Sequence, residues 1–169
     1  CSSDLRNLKI LEALAMRNPD CRLDIVTNGQ RVSKGFLDIL KKLNNVSIIV
    51  SIDGLGKRYE GIRGGDFKEL EDTIKTLAYT LAKPLQTCPT AMIYNWFYMD
   101  ELKSYIEESI CLNVNSKWPS QIVTSPEWCS PQTLLKQEDL DKSSIKIKSL
   151  YSEEAVKQHI KYTLYYQLQ

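Results

Sequence analysis

Ser51-Ile52-Asp53-Gly54 places a hydroxyl and a carboxylate two residues apart, where a short apolar run ends. If that run is a strand, Ser51 and Asp53 point to one face and Ile52 to the other. A hydroxyl both donates and accepts, and a carboxylate accepts, so the pair suits a ribose or an amine. Gly54 lets the chain turn with no side chain in a ligand's way. A plainer role is open too: Asp53 caps the next turn and Ser51 packs. Thr27-Asn28-Gly29 forms a second polar tip of the same kind. Arg63, in Tyr59-Glu60-Gly61-Ile62-Arg63-Gly64-Gly65, carries a fork that matches a carboxylate. Its alternative partners are Glu60 and Asp66.

Other chemistry has less support. The five cysteines, at 1, 21, 88, 111 and 129, are far apart in sequence. Zinc and iron–sulfur loops normally bring two thiolates to one centre through a short spacing, so no metal ligand set is expected within the chain. The odd count argues against a secreted disulfide framework, and free thiols in a reducing, cytoplasmic compartment are expected. Gly54-Leu55-Gly56 lacks the third glycine of a dinucleotide loop. His159 has no carboxylate at a useful spacing for a Ser-His-Asp mechanism. Tyr94, Trp96, Phe97 and Tyr98 read as the core and rim of a sheet rather than a base-stacking platform, since no basic groove accompanies them.

Alternating elements must position these tips. Leu5, Leu8, Leu11, Leu14 and Ala15 repeat at helical spacing, with Ser3 or Asp4 as cap. A short strand follows at Leu23, Ile25 and Val26, then a helix with Phe36, Leu37, Leu40 and Leu43. Ile48, Ile49 and Val50 form the clearest strand, apolar and β-branched as in a sheet covered on both faces. A polar loop leads into a helix carrying Phe67, Leu70, Ile74, Leu77 and Leu81. The next strand is expected from about Thr87 to Trp96, with a defect at Pro89. A helix capped by Asp100 comes next, then an extended segment near Ile122-Val123. A final helix starts at Ser152, with Val156, Ile160 and Leu164 inward. Such alternation means βαβ units and a parallel sheet.

The 169 residues suit one domain over 1–169, with 136–169 as a C-terminal extension. Hydrophobic and charged contents of 43% and 25% are ordinary, and the net charge is +1. No bulk field favours nucleic acid or an acidic membrane, and no apolar run is long enough to span a bilayer. The chain begins on a helix that should follow a strand, and not on Met. It is expected to be a piece of a longer protein, and its first strand an open edge prone to self-association.

The stretch from Asp24 to Leu77 resembles the middle of a radical S-adenosylmethionine enzyme. Its marks are a strand ending in Thr27-Asn28-Gly29, a helix, a strand ending in Ser51-Ile52-Asp53-Gly54, and Tyr59-Glu60-x-Ile62-Arg63-Gly64. It is most similar to the subgroup with SPASM or twitch tails, and the likeness covers roughly residues 5 to 135.

This resemblance implies the third to sixth β/α units of a partial (β/α)6 barrel. It implies that Ser51 and Asp53 lie against the ribose and methionine of S-adenosylmethionine. Thr27 and Asn28 would face the same cavity, Arg63 would reach the cofactor carboxylate, and Asn95 would stand on the fifth strand near cofactor or substrate. The family's Cys-x3-Cys-x2-Cys loop for a [4Fe–4S] cluster and its Gly-Gly-Glu are absent here and are expected upstream of Cys1. The implied activity is reductive cleavage of the cofactor to a 5′-deoxyadenosyl radical that abstracts hydrogen from a substrate, a peptide or small molecule. Without the three thiolates the chain alone is expected to be inactive. The alternatives are a degenerate scaffold or binding module, and an unrelated nucleotide-binding α/β domain.

Overall fold

The computed structural model describes residues 5–114 and 118–167. The caps expected at Ser3 or Asp4, Cys1, and the side chains of Leu5 and Leu164 lie outside what is described.

Helix α1 (Leu5–Arg17) buries Leu11 and half-buries Leu8, Leu14 and Ala15, the face its spacing marks out. Strand β1 (Leu23–Thr27) follows, then α2 (Lys34–Leu40). The Ser33 side chain accepts the Phe36 amide at 3.2 Å and fixes the start of α2. Phe36, Ile39 and Leu40 are its buried stripe. Strand β2 (Val46–Val50) pairs with β1 in parallel, Leu23 opposite Val46 and Thr27 opposite Val50.

After β2 the sequence reading expects a loop, but residues 56–63 are a helix, α3 (Gly56–Arg63). Its polar composition hides it, yet Tyr59 is fully buried on its inner side. Gly64, at φ 71°, ends it in the left-handed conformation that a glycine adopts without strain. Helix α4 (Phe67–Leu81) starts on Asp66, which accepts the Glu69 amide at 2.9 Å. It buries Leu70, Ile74, Leu77 and Ala78.

The strand expected at 87–96 begins earlier and is broken. Strands β3 (Leu85–Thr87) and β4 (Thr90–Ala91) flank Cys88-Pro89, where proline has no N–H for a ladder. Beyond β4 the chain turns into a short 3-10 helix at Trp96–Tyr98 and then α5 (Met99–Glu108). Asp100 is not the cap of α5: it lies in the first turn and accepts the Ser144 amide at 3.0 Å. Strands β5 (Leu112–Asn113) and β6 (Gln121–Ile122) complete the sheets. Helices α6 (Pro131–Leu134), α7 (Gln137–Leu140) and α8 (Glu153–Gln167) follow. The Ser152 hydroxyl accepts the Ala155 amide at 3.2 Å, as its position before α8 leads one to expect.

The architecture is α/β, with four parallel strands in the order β1-β2-β3-β5 and a second parallel pair, β4-β6. Register divides the main sheet into two faces. Val46, Ile48, Val50, Leu85, Thr87 and Leu112 are buried, packed in the core with residues of α2 and α4. The opposite face carries Asp24, Val26, Ser47, Ile49 and Gln86, all half-buried or exposed. Among the described residues no helix is long and apolar enough to cross a membrane.

Candidate functional site

Three parallel strands end side by side. Thr27 is level with Val50, and Val50 with Thr87. The ladder runs one step further: the Ser51 amide donates to Thr27 O at 2.9 Å, and the Cys88 amide to Val50 O at 3.0 Å. By pleat alternation Asn28, Ser51 and Cys88 form the next row, on the open face of the sheet. Thr27 falls in the row of Val50 and Thr87, on the helix-covered face, and is 8% exposed. The expectation that Thr27 and Asn28 face one cavity therefore splits, since the pleat sends them to opposite sides.

The tip of β1 is bolted down by its neighbours. Thr27 Oγ1 accepts the Gly29 amide at 3.2 Å. Asn28 Oδ1 accepts the Gln30 amide at 3.4 Å, and Asn28 O accepts the buried Tyr59 hydroxyl at 3.2 Å. Gln30 in turn donates to Arg63 O at 3.2 Å. Gly29 sits at φ +69°, so close to Val50 and Leu70 that a Cβ would lie 2.6 Å from Leu70 Cδ1. Thr-Asn-Gly is thus a tight turn that the core requires.

Asp53 is the polar centre of the region, 1% exposed. One oxygen accepts the Thr90 amide at 2.8 Å, and the other is 2.5 Å from Arg63 Nη2. Arg63 pairs with neither of the partners weighed from sequence: Glu60 is taken by Lys57 at 2.6 Å, and Asp66 caps α4. Arg63 is the last residue of α3, where the helix dipole favours a cation. Its Nε is buried without a hydrogen-bond partner. Burial pushes the Asp53 carboxyl above its ordinary range, against the opposing pull of the Thr90 amide and the Arg63 charge. Ser51 stands two residues before Asp53, just past the end of β2, and is half-buried.

Asn95 corrects the sequence reading. It is not on a strand but in the turn before the 3-10 helix, and is 1% exposed. Its amide nitrogen donates to Asp53 O at 2.7 Å and Thr90 O at 2.9 Å, and its oxygen accepts the Met92 amide at 2.8 Å. These bonds stitch the tip of β2 to β4 and leave Asn95 little capacity for a ligand. Thr90 and Tyr59 were missed. Thr90 acts through its backbone, which carries no sequence signal. Tyr59 had one: Leu55, Tyr59 and Ile62 fall at helical spacing.

No family model matches the chain. Over 96 residues it is 30% identical to the sporulation killing factor maturation protein SkfB of Bacillus subtilis strain 168, covering 56% of this chain and 22% of that protein. Its fold matches the crystal structure of Streptococcus suis SuiB with TM-score 0.53, at 18% identity over 98% of this chain and 34% of that one. SuiB bound to S-adenosylmethionine matches with TM-score 0.50, at the same identity and coverage. The chain thus shares its fold with part of SuiB and a stretch of sequence with SkfB. It spans about a third of the length of SuiB and less of SkfB.

What the described residues bring together is a row of strand tips. Among them no three His, Cys, Asp or Glu side chains lie close enough to hold a metal ion. Cys21, Cys88, Cys111 and Cys129 are free thiols. The residues described here do not fit a [4Fe–4S] cluster.

Proposed function

We propose that this chain forms one wall of an S-adenosylmethionine site in a radical S-adenosylmethionine enzyme. The observation that carries the reading is the Asp53–Arg63 pair just past the end of β2, two residues beyond Ser51, in a fold shared with SuiB. Ligands of parallel α/β sheets gather at such strand ends. Ser51 offers a hydroxyl to a ribose. Arg63, its side chain 30% exposed, offers the uncommitted part of its guanidinium to a carboxylate, while Asp53 holds it still. Asn28 lies in the same row as Ser51 and borders the site.

A [4Fe–4S] cluster, were one held elsewhere in the whole protein, would supply the electron for cofactor cleavage, while Ser51 and Arg63 would hold the cofactor in place. The thiolates for such a cluster are not among the described residues, so this chain alone binds cofactor without cleaving it.

Titration calorimetry tests the reading. S-adenosylmethionine is expected to bind in preference to ATP and NAD. Ser51→Ala should weaken it by about fivefold, the loss of one hydrogen bond of roughly 1 kcal/mol. Arg63→Gln should weaken it by about tenfold or more through the lost charge-assisted contact. Preference for ATP or NAD would replace this reading with a general nucleotide-binding domain. No binding of any of the three would favour a scaffold.

A further inference from the structure

Beside the strand tips lies a cleft of about 440 Å³, lined by Arg58, Gly61, Ile62, Met92 and Tyr94. That volume is within the ordinary range for small-molecule sites, roughly 300–1,000 Å³. Its walls belong to the network already described. Ile62 precedes Arg63 on α3, and the Met92 amide is held by Asn95.

Gly61 is the informative residue. A glycine inside a helix costs about 1 kcal/mol relative to alanine. Its backbone does not demand it, since no positive φ is found there, nor does packing, since a Cβ would meet nothing within 4 Å. Gly35 in α2 is equally unhindered, but it does not line this cleft. At Gly61 the absence of a side chain leaves room in the wall of the cleft.

The remaining walls define a chemistry. Ile62 and Met92 are apolar, and a thioether packs well against a ring. Tyr94 presents an aromatic face, with the His159 ring 5.7 Å away. The Arg58 guanidinium stands over Tyr98, its Cζ 3.2 Å from the ring centroid. Its nearest carboxylate, Glu101, stays 3.7 Å away, beyond hydrogen-bond length, and is itself mostly solvated. The guanidinium edge is thus oriented, cationic and not committed to that carboxylate.

We infer that this cleft is a substrate-side pocket for an aromatic group bearing a carboxylate, the ring against Ile62, Met92 and Tyr94 and the acid on Arg58. The role as a substrate pocket rests on the cofactor reading; the binding itself does not.

The test is binding of N-acetyl-L-phenylalanine, its amide, and N-acetyl-L-alanine, followed by amide-shift NMR on the full chain. The aromatic acid should bind most tightly and perturb Gly61, Ile62 and Met92. Gly61→Leu should fill the cleft and weaken it about tenfold or more, as a misfitting pocket group does, while Gly61→Ala changes it little. Arg58→Gln should level acid and amide. The perturbation map needs no variant, so the inference is testable even if Gly61→Leu fails to fold. No binding, perturbations elsewhere, equal binding of acid and amide by the unsubstituted chain, or indifference to Gly61→Leu would each overturn it. S-adenosylmethionine affinity is measured in parallel. If the aromatic acid binds and the cofactor does not, the cofactor reading fails and the pocket stands; the reverse outcome removes the pocket alone.

Discussion

Arg63 Nη2 lies 2.5 Å from Asp53 Oδ2, joining the end of α3 to the segment that follows β2. The carboxylate is almost fully buried, and its other oxygen holds the Thr90 amide. Asp53→Ala would leave both donors without their acceptor. It is expected to lose about 2–4 kcal/mol of unfolding free energy in urea, whereas Asp53→Asn, which keeps an acceptor for Thr90, should lose less. An unchanged urea midpoint in Asp53→Ala would remove the pair from the fold's supports.

The same burial gives Asp53 a pH signature. Its folded carboxyl titrates above the ordinary value of 3.8, so the folded chain holds this proton more tightly than the unfolded chain. The contribution to stability is fully present below 3.8 and is lost as pH rises through the raised value. Stability measured relative to Asp53→Asn should fall across that window and level off above it. Carboxyl carbon NMR should place the midpoint above 3.8, and higher still in Arg63→Gln, which removes the opposing charge.

Asn95 tests whether a buried amide serves the fold or the cofactor. Its three backbone partners predict a structural cost: Asn95→Ala should lose about 2–3 kcal/mol in thermal or urea unfolding. In the fraction that folds, S-adenosylmethionine affinity should stay within about twofold, since no cofactor contact is asked of this residue. A stable variant with lost affinity would reinstate Asn95 as a ligand residue.

Gly29 should be intolerant. An alanine there adopts φ +69° and places its Cβ 2.6 Å from Leu70 Cδ1 and 3.2 Å from Val50 Cγ1. Gly29→Ala is expected to cost about 2–3 kcal/mol by thermal denaturation. Adding Leu70→Ala should recover the steric part in a double-mutant cycle but not the backbone part.

The sequence made some of this plain and withheld the rest for physical reasons. β2 was readable because Ile48, Ile49 and Val50 are consecutive and β-branched, and α4 because its apolar stripe keeps period over fifteen residues. Ser51 and Asp53 were readable as a polar tip because alternation is local. The partner of Arg63 was not: Asp53 is ten positions away, and only the helical turn of α3, concealed by its charged surface, brings the two together. Asn95 was read as a strand residue because Tyr94, Trp96 and Phe97 look strand-like, yet the break at Cys88-Pro89 ends the ladder early. Thr27 and Asn28 are neighbours in the chain, and their opposite faces follow only once the register with β2 is fixed.

Strand β1 is held from one side. Leu23 donates its amide to Asn45 O, and Thr27 O accepts from Ser51, so the bonding residues toward β2 are Leu23, Ile25 and Thr27. The amides of Asp24 and Val26 point the other way, and Val26 is 63% exposed. In heavy water those two hydrogens should be replaced quickly while Ile25 and Thr27 wait for wider opening. A saw-tooth of deuterium uptake along these residues marks a strand with a single neighbour; uniform slowness would mean that another strand had been laid alongside.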